Sequence, residues 1–290
     1  MDQKIKFYIP DFYYNYRLNT KLIMMMQEHP EYFFDNTEIG AVYGTFPGAI
    51  WNGGRLSSGS TDIDNIKNTI DGFNSLGVPV RFTFTNTLLE EKHVYDTYCN
   101  LIMECAHNGM NEVLVNSPIL EDYLREHYPN FKYIMSTTRC ERDVDKINEA
   151  CEKYFLVVPD YRDNRNAEFL ERLQHKDKIE FLINAYCDPD CKMRSEHYKC
   201  LSNDQLTFRQ HTTFVPCEAT SRSFFDALRL PTVLKNYEVY EDYAKNFGFS
   251  NFKIEGRTLH SADVIESYVY YLVKPQWRDN VRYELIKHCW

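Results

Sequence analysis

Short apolar runs rich in Val, Ile, Phe and Tyr recur along the chain, separated by longer stretches whose apolar residues repeat at helical spacing. A brief β-rich run between polar turns reads as a strand, and apolar residues three and four apart read as a helix with one buried face. The runs predict strands at 38–43, 78–83, 112–115, 131–135, 154–158, 179–183 and 251–254. Between them the spacing predicts helices at 62–76, 88–108, 119–127, 142–153 and 166–174. Such alternation builds a parallel sheet with helices outside. Seven or more units in one chain favour a TIM-like (β/α) barrel, closed or incomplete, over a doubly wound sheet. Two stretches break the rhythm. An extra strand at 6–9 and helix at 18–28 precede the first barrel strand, and a helical stretch, 187–248, follows the sixth. An eighth strand is expected at 232–235. The reading is one barrel domain, 1–290, carrying an inserted Cys-rich helical region at 187–248.

Composition changes this picture little. The 290 residues are 43% hydrophobic, enough for a sizeable core. The 22 Tyr and 19 Phe fit core and rim packing better than a stacking surface. A net charge of −9 without a basic run gives nucleic-acid binding no global help, although a local basic groove would still be compatible. No secretory leader and no apolar run of membrane-spanning length are seen, so no membrane span is expected. Nine cysteines, an odd number, then predict reduced thiols and a cytoplasmic protein.

Barrel chemistry sits on loops at the C-terminal ends of the strands. Polar residues recur there: Gly44 and Thr45, Asn86, Asn116 and Ser117, Ser136 and Thr137, Asp160, Asn184, and Glu255 with Arg257. Singly each suits a turn or cap; together they predict a polar pocket, with Asn86, Thr137 and Asn184 as substrate contacts. Glu255 and Arg257 flank Gly256, so both can face one side. Arg257 suits a carboxylate substrate and Glu255 a proton transfer, or the two close the barrel mouth as an ion pair. Asn52-Gly53-Gly54-Arg55 reads as a tight loop or as an anion-holding nest with Arg55 adding charge. It lacks the phosphate-loop pattern.

Four of the nine cysteines fall between Cys187 and Cys217. Asp188-Pro189 reads as a helix start, which would lower the pKa of the neighbouring thiols. Cys187, Cys191, Cys200 and Cys217 offer four thiolates for an iron–sulfur cluster or zinc. Alternatives are unremarkable buried thiols, or Cys191 as nucleophile with His197 as base. No Gly-x-Ser-x-Gly elbow or His-Glu-x-x-His helix is present.

Phe252-Lys253-Ile254-Glu255-Gly256-Arg257, followed by Ser261 and an apolar helical run to Leu272, resembles the signature of the collagenase-like peptidase family, U32. The Cys-rich stretch with Arg194, His197 and Tyr198 adds to the likeness, as do Asn86 and Ser136-Thr137. The resemblance implies a modified barrel with a 4Fe–4S cluster on Cys187, Cys191, Cys200 and Cys217. It also implies oxygen-independent hydroxylation of RNA bases or a small molecule, or a peptidase activity. The expected substrate is thus a small molecule, peptide or RNA. A non-catalytic module bound to a partner protein or to a second copy is the further alternative.

Overall fold

The computed structural model describes residues 4–209, 219 and 221–287. Its elements run β1 (Ile5–Pro10), α1 (Tyr16–Glu28), β2 (Thr37–Gly44), α2 (Ile63–Ser75), β3 (Val80–Phe84), α3 (Thr97–Ala106), β4 (Glu112–Val115), α4 (Pro118–His127), β5 (Lys132–Met135), α5 (Val144–Lys153), β6 (Leu156–Val157), α6 (Ala167–Arg172), β7 (Glu180–Leu182), α7 (Arg194–Thr207), α8 (Phe224–Ala227), β8 (Asn251–Lys253), α9 (Ser261–Leu272) and α10 (Arg278–Ile286). The eight strands form one parallel sheet in the order β6-β5-β4-β3-β2-β1-β8-β7. Among the described residues, one parallel bridge, Val157 to Ile179, joins its two ends. The barrel is nearly closed, and the seam falls where β6 and β7 are only two and three residues long.

The strand period sorts side chains to two faces. Phe7, Val42, Phe82, Val113, Met135, Val157, Phe181 and Phe252 belong to the large core under the helices. Tyr8, Ala41, Tyr43, Leu114, Ile134, Leu156 and Val158 form a separate cluster inside the barrel. Charge shares that interior: Arg81 donates to Glu112 at 2.7 Å and to Glu180 at 2.5 Å. Its guanidinium lies 3.8 Å from the centroid of the Tyr8 ring.

Several expectations are corrected. The strand at 6–9 is β1, a full barrel strand paired to β2 and β8, because Phe7 and Ile9 are as buried as any other barrel residue. The numbering of strands shifts by one, so the stretch from Cys187 follows the seventh strand. Residues 232–235 form no strand; Leu234 is buried in a turn segment that meets the end of β7 through Ile183. The helix expected at 88–108 divides, because Asp96 accepts from Cys99 N and starts α3 afresh after a short 3-10 turn at Glu91–Tyr95. Asp188-Pro189 starts no helix: α7 begins at Arg194. Among the described residues, no helix is long and apolar enough to cross a membrane.

Candidate active site

At the C-terminal mouth of the barrel lies a pocket of about 70 Å³. Its floor is Tyr43, Thr83, Leu114, Leu182 and Lys253, carried by the strands; its rim is Gly54, Arg55, Thr137, Cys187, Glu255 and Arg257. Arg194 and Tyr198 reach it from α7, which lies against the mouth. Ser202 and Gln205 fasten that helix, Ser202 bonding Thr87 and Gln205 bonding Asn52, Ala49 and Ser57.

Strand period continues past β8, so Lys253, Glu255 and Arg257 all line the pocket. Arg257 donates to Asn52 Oδ1 at 3.0 Å, Thr83 Oγ1 at 2.8 Å and the Gly53 carbonyl at 3.0 Å. All three acceptors are neutral. Burial holds the pKa of this guanidinium below its usual value, against the opposing effect of Tyr43. Glu255 is paired with Arg55 and accepts from Tyr186 N at 3.3 Å. Its backbone is clamped on both sides by Asn184, which accepts from Glu255 N at 2.6 Å and donates to Glu255 O at 3.0 Å.

Arg194 is almost fully buried. It donates to Asp160 at 2.5 Å, Tyr198 Oη at 3.0 Å and Thr137 Oγ1 at 3.2 Å, and sits 4.5 Å from the Tyr161 ring centroid. Asp160 also holds Arg162 through both carboxylate oxygens. Burial raises the Asp160 pKa, yet the hydrogen bond from Arg162 and the charge of Arg194 outweigh it and leave the carboxyl below its usual range. Lys253 lies 4.1 Å from the Tyr43 ring centroid and 3.9 Å from Glu180 Oε1. Burial brings its pKa down to about 7, although Glu180 pulls the other way.

The sequence-predicted residues thus divide. Glu255, Arg257, Arg55, Thr137 and Cys187 converge on the pocket. Asn184 does not line it but shapes it through Glu255. Asn86 stands apart, donating to the carbonyls of Ile50 at 3.0 Å and Ser202 at 3.1 Å, so it ties a loop to α7. In the Asn52–Arg55 loop Gly53 N donates to Thr83 O, and the Gly53 and Gly54 carbonyls accept from Arg257 and Arg55. The Cys187 thiol is not activated. Burial and then Glu255 push it up to about 11, against the opposing effects of Arg55 and Arg194. Among the described residues, no three His, Cys, Asp or Glu side chains make a group able to hold a metal ion. Cys217 lies outside the described residues, and Cys187, Cys191 and Cys200 are free thiols. Lys253, Tyr43, Thr83 and Tyr161 were missed as site residues. The alternation of 253, 255 and 257 was the available signal for the lysine.

A U32 peptidase, Mk0906, has a similar solved structure, with a TM-score of 0.53 at 12% identity over 88% of this chain and 94% of that one. At this identity the likeness is one of fold. A GH113 beta-1,4-mannanase aligns at a TM-score of only 0.28 and carries no weight. No family model and no curated protein matches the sequence.

Proposed function

We propose that the barrel-mouth pocket is an active site for a small carboxylate-bearing substrate. Arg257 binds the carboxylate and Glu255 moves a proton. The observation behind this reading is Arg257: among the described residues it has no ion-pair partner and touches only neutral oxygens, yet it lines the pocket. A half-buried guanidinium whose hydrogen bonds all go to neutral oxygens, with the Asp11 and Glu255 carboxylates acting on it only from beyond ion-pair distance, favours an anion that adds paired, charged hydrogen bonds. The volume of about 70 Å³ favours a ligand of few non-hydrogen atoms over a nucleobase in its chain. Calorimetric titration with acetate, pyruvate and malonate tests the reading. Wild type should bind at least one of them, and Arg257→Gln should weaken that binding about tenfold or more, the order of a lost charged hydrogen bond. Equal affinity in both proteins would refute it.

A second reading is peptide hydrolysis, favoured by the peptidase whose barrel this one resembles. Gelatin fragments released by wild type and not by Glu255→Gln would support it. A 4Fe–4S cluster, with the hydroxylation of a small molecule or RNA that it implies, is a separate proposal. The described donors do not by themselves fit such a cluster. Anaerobic purification should yield about four iron per chain if Cys187, Cys191, Cys200 and Cys217 hold one, and Cys191→Ser should lose it. Stoichiometric zinc would assign the site a structural role.

A further inference from the structure

We infer that Lys253 is a covalent residue of this pocket, forming an imine with the carbonyl carbon of a small 2-oxo acid. The inference rests on the reading of the pocket as a carboxylate site and adds the substrate's second functional group.

Lys253 is the last residue of β8 and its side chain turns into the barrel. It lines the mouth pocket together with Arg257, four residues further along the same chain segment. Among the described residues, no hydrogen-bond acceptor is engaged by its Nζ. The Glu180 oxygen facing it, Oε1, stands at 3.9 Å, too far for a hydrogen bond, and is itself without one. Glu180 instead gives its other oxygen to Arg81, which also holds Glu112. The amine rests on the Tyr43 ring at 4.1 Å, with Glu180 as a long ion-pair partner and with Arg81 and Arg257 also close enough to act on its charge, so burial outweighs the single carboxylate facing it. With its pKa lowered by burial to about 7, a far larger share of this amine is neutral at neutral pH than of an ordinary lysine near about 10.4. A desolvated lysine of this kind is a nucleophile toward carbonyls.

The step balances without an oxidant. The Nζ lone pair attacks the carbonyl carbon of the bound acid, a C–N bond forms and the C–O bond breaks. The oxygen leaves as water with the two amine protons. The carboxylate beside the carbonyl stays on Arg257. The small volume of the pocket fits a short acid of this class.

The test uses pyruvate with sodium cyanoborohydride, followed by intact mass and peptide mapping. Wild type should carry one reduced adduct, on Lys253, forming about tenfold or more faster than on any exposed lysine, given its larger neutral fraction. Acetate should compete, and acetaldehyde should label more slowly. Lys253→Arg should bind pyruvate in calorimetry and take no adduct in the barrel. Pyruvate binding without modification of Lys253, or adducts scattered over surface lysines, would overturn the imine and leave the carboxylate site standing. Neither binding nor adduct would remove both. Mapping the wild-type protein keeps the test independent of how well the variant folds.

Discussion

Two residues in the pocket wall carry opposite pKa displacements from one cause, loss of water. Burial disfavours the charged form of each, so it lowers the Lys253 amine to about 7 and lifts the Cys187 thiol to about 11. For Lys253 the sign of the linkage is fixed. The unfolded chain binds more protons than the folded one between about pH 7 and the ordinary lysine pKa of about 10.4. Folded stability contributed by this residue therefore rises across that window and is lowest below it. Other buried thiols and phenols titrate at alkaline pH, so the difference between wild type and Lys253→Met isolates the effect. That difference in urea midpoint, normalised by slope, should move in favour of wild type from pH 7 to pH 10. A flat difference would mean that Lys253 is not desolvated as the geometry requires. For Cys187, iodoacetamide should label the thiol more slowly at pH 8 than an ordinary cysteine, with the rate still climbing above pH 9. Rapid labelling at pH 7 would contradict its burial.

At the scale of elements, the loop after β2 decides how Arg257 is held. Gly53 has no room for a side chain: an added Cβ would lie 2.4 Å from the Thr85 carbonyl carbon and oxygen. The backbone would have to shift, and Gly53 O is an Arg257 acceptor. Gly53→Ala should weaken carboxylate binding by as much as about a hundredfold, the scale of an ångström misplacement at a site. Gly77→Ala is the contrast. Gly77 has φ +78 with nothing within 4 Å, so the change should cost about 1–2 kcal/mol of stability and leave binding intact. Thermal melts and calorimetry on both variants separate the two effects. The loop's close approach to Thr85 and its hydrogen bonds were not legible in the sequence, where two adjacent glycines fit a nest as well as a tight turn. The strands were legible, because Ile39 to Val42, Val80 to Phe84 and Val113 to Val115 repeat the apolar pattern of a sheet covered by helices. The helix start at Asp188-Pro189 misled for a local reason. The dipeptide carries a capping signal, but Asp188 is engaged by Arg222 and its carbonyl accepts from Tyr161, which holds the segment as a turn.

Across the whole molecule, the barrel interior balances charge where most barrels pack aliphatics. Arg81 and Glu180 are fully buried and Glu112 nearly so. Burial lowers the Arg81 pKa, but the two carboxylates outweigh it and leave it raised. Burial raises Glu112 despite Arg81. Removing one partner from such a network strands the others, so Arg81→Met should destabilise the fold by about 3–5 kcal/mol in denaturant titration. The loss should shrink at low pH, where Glu112, raised by burial, becomes neutral. A neutral effect at pH 7 would mean the network is dispensable.

Sequence by itself determined the strand and helix rhythm, and with it a parallel barrel. It also marked Glu255, Arg257, Arg55, Thr137 and Cys187 as mouth residues, because strand ends and their loops are local features of a pattern with period two. Tertiary structure decided everything that depends on who stands opposite. It made β1 a barrel strand, turned Asn86 and Asn184 into struts, kept the Cys187 thiol protonated, and brought Lys253 into the same pocket as Arg257. Those outcomes rest on burial and on partners distant along the chain, such as Glu180 beside Lys253 and Thr83 beside Arg257, and desolvation is set by the nearly closed barrel rather than by neighbours in sequence.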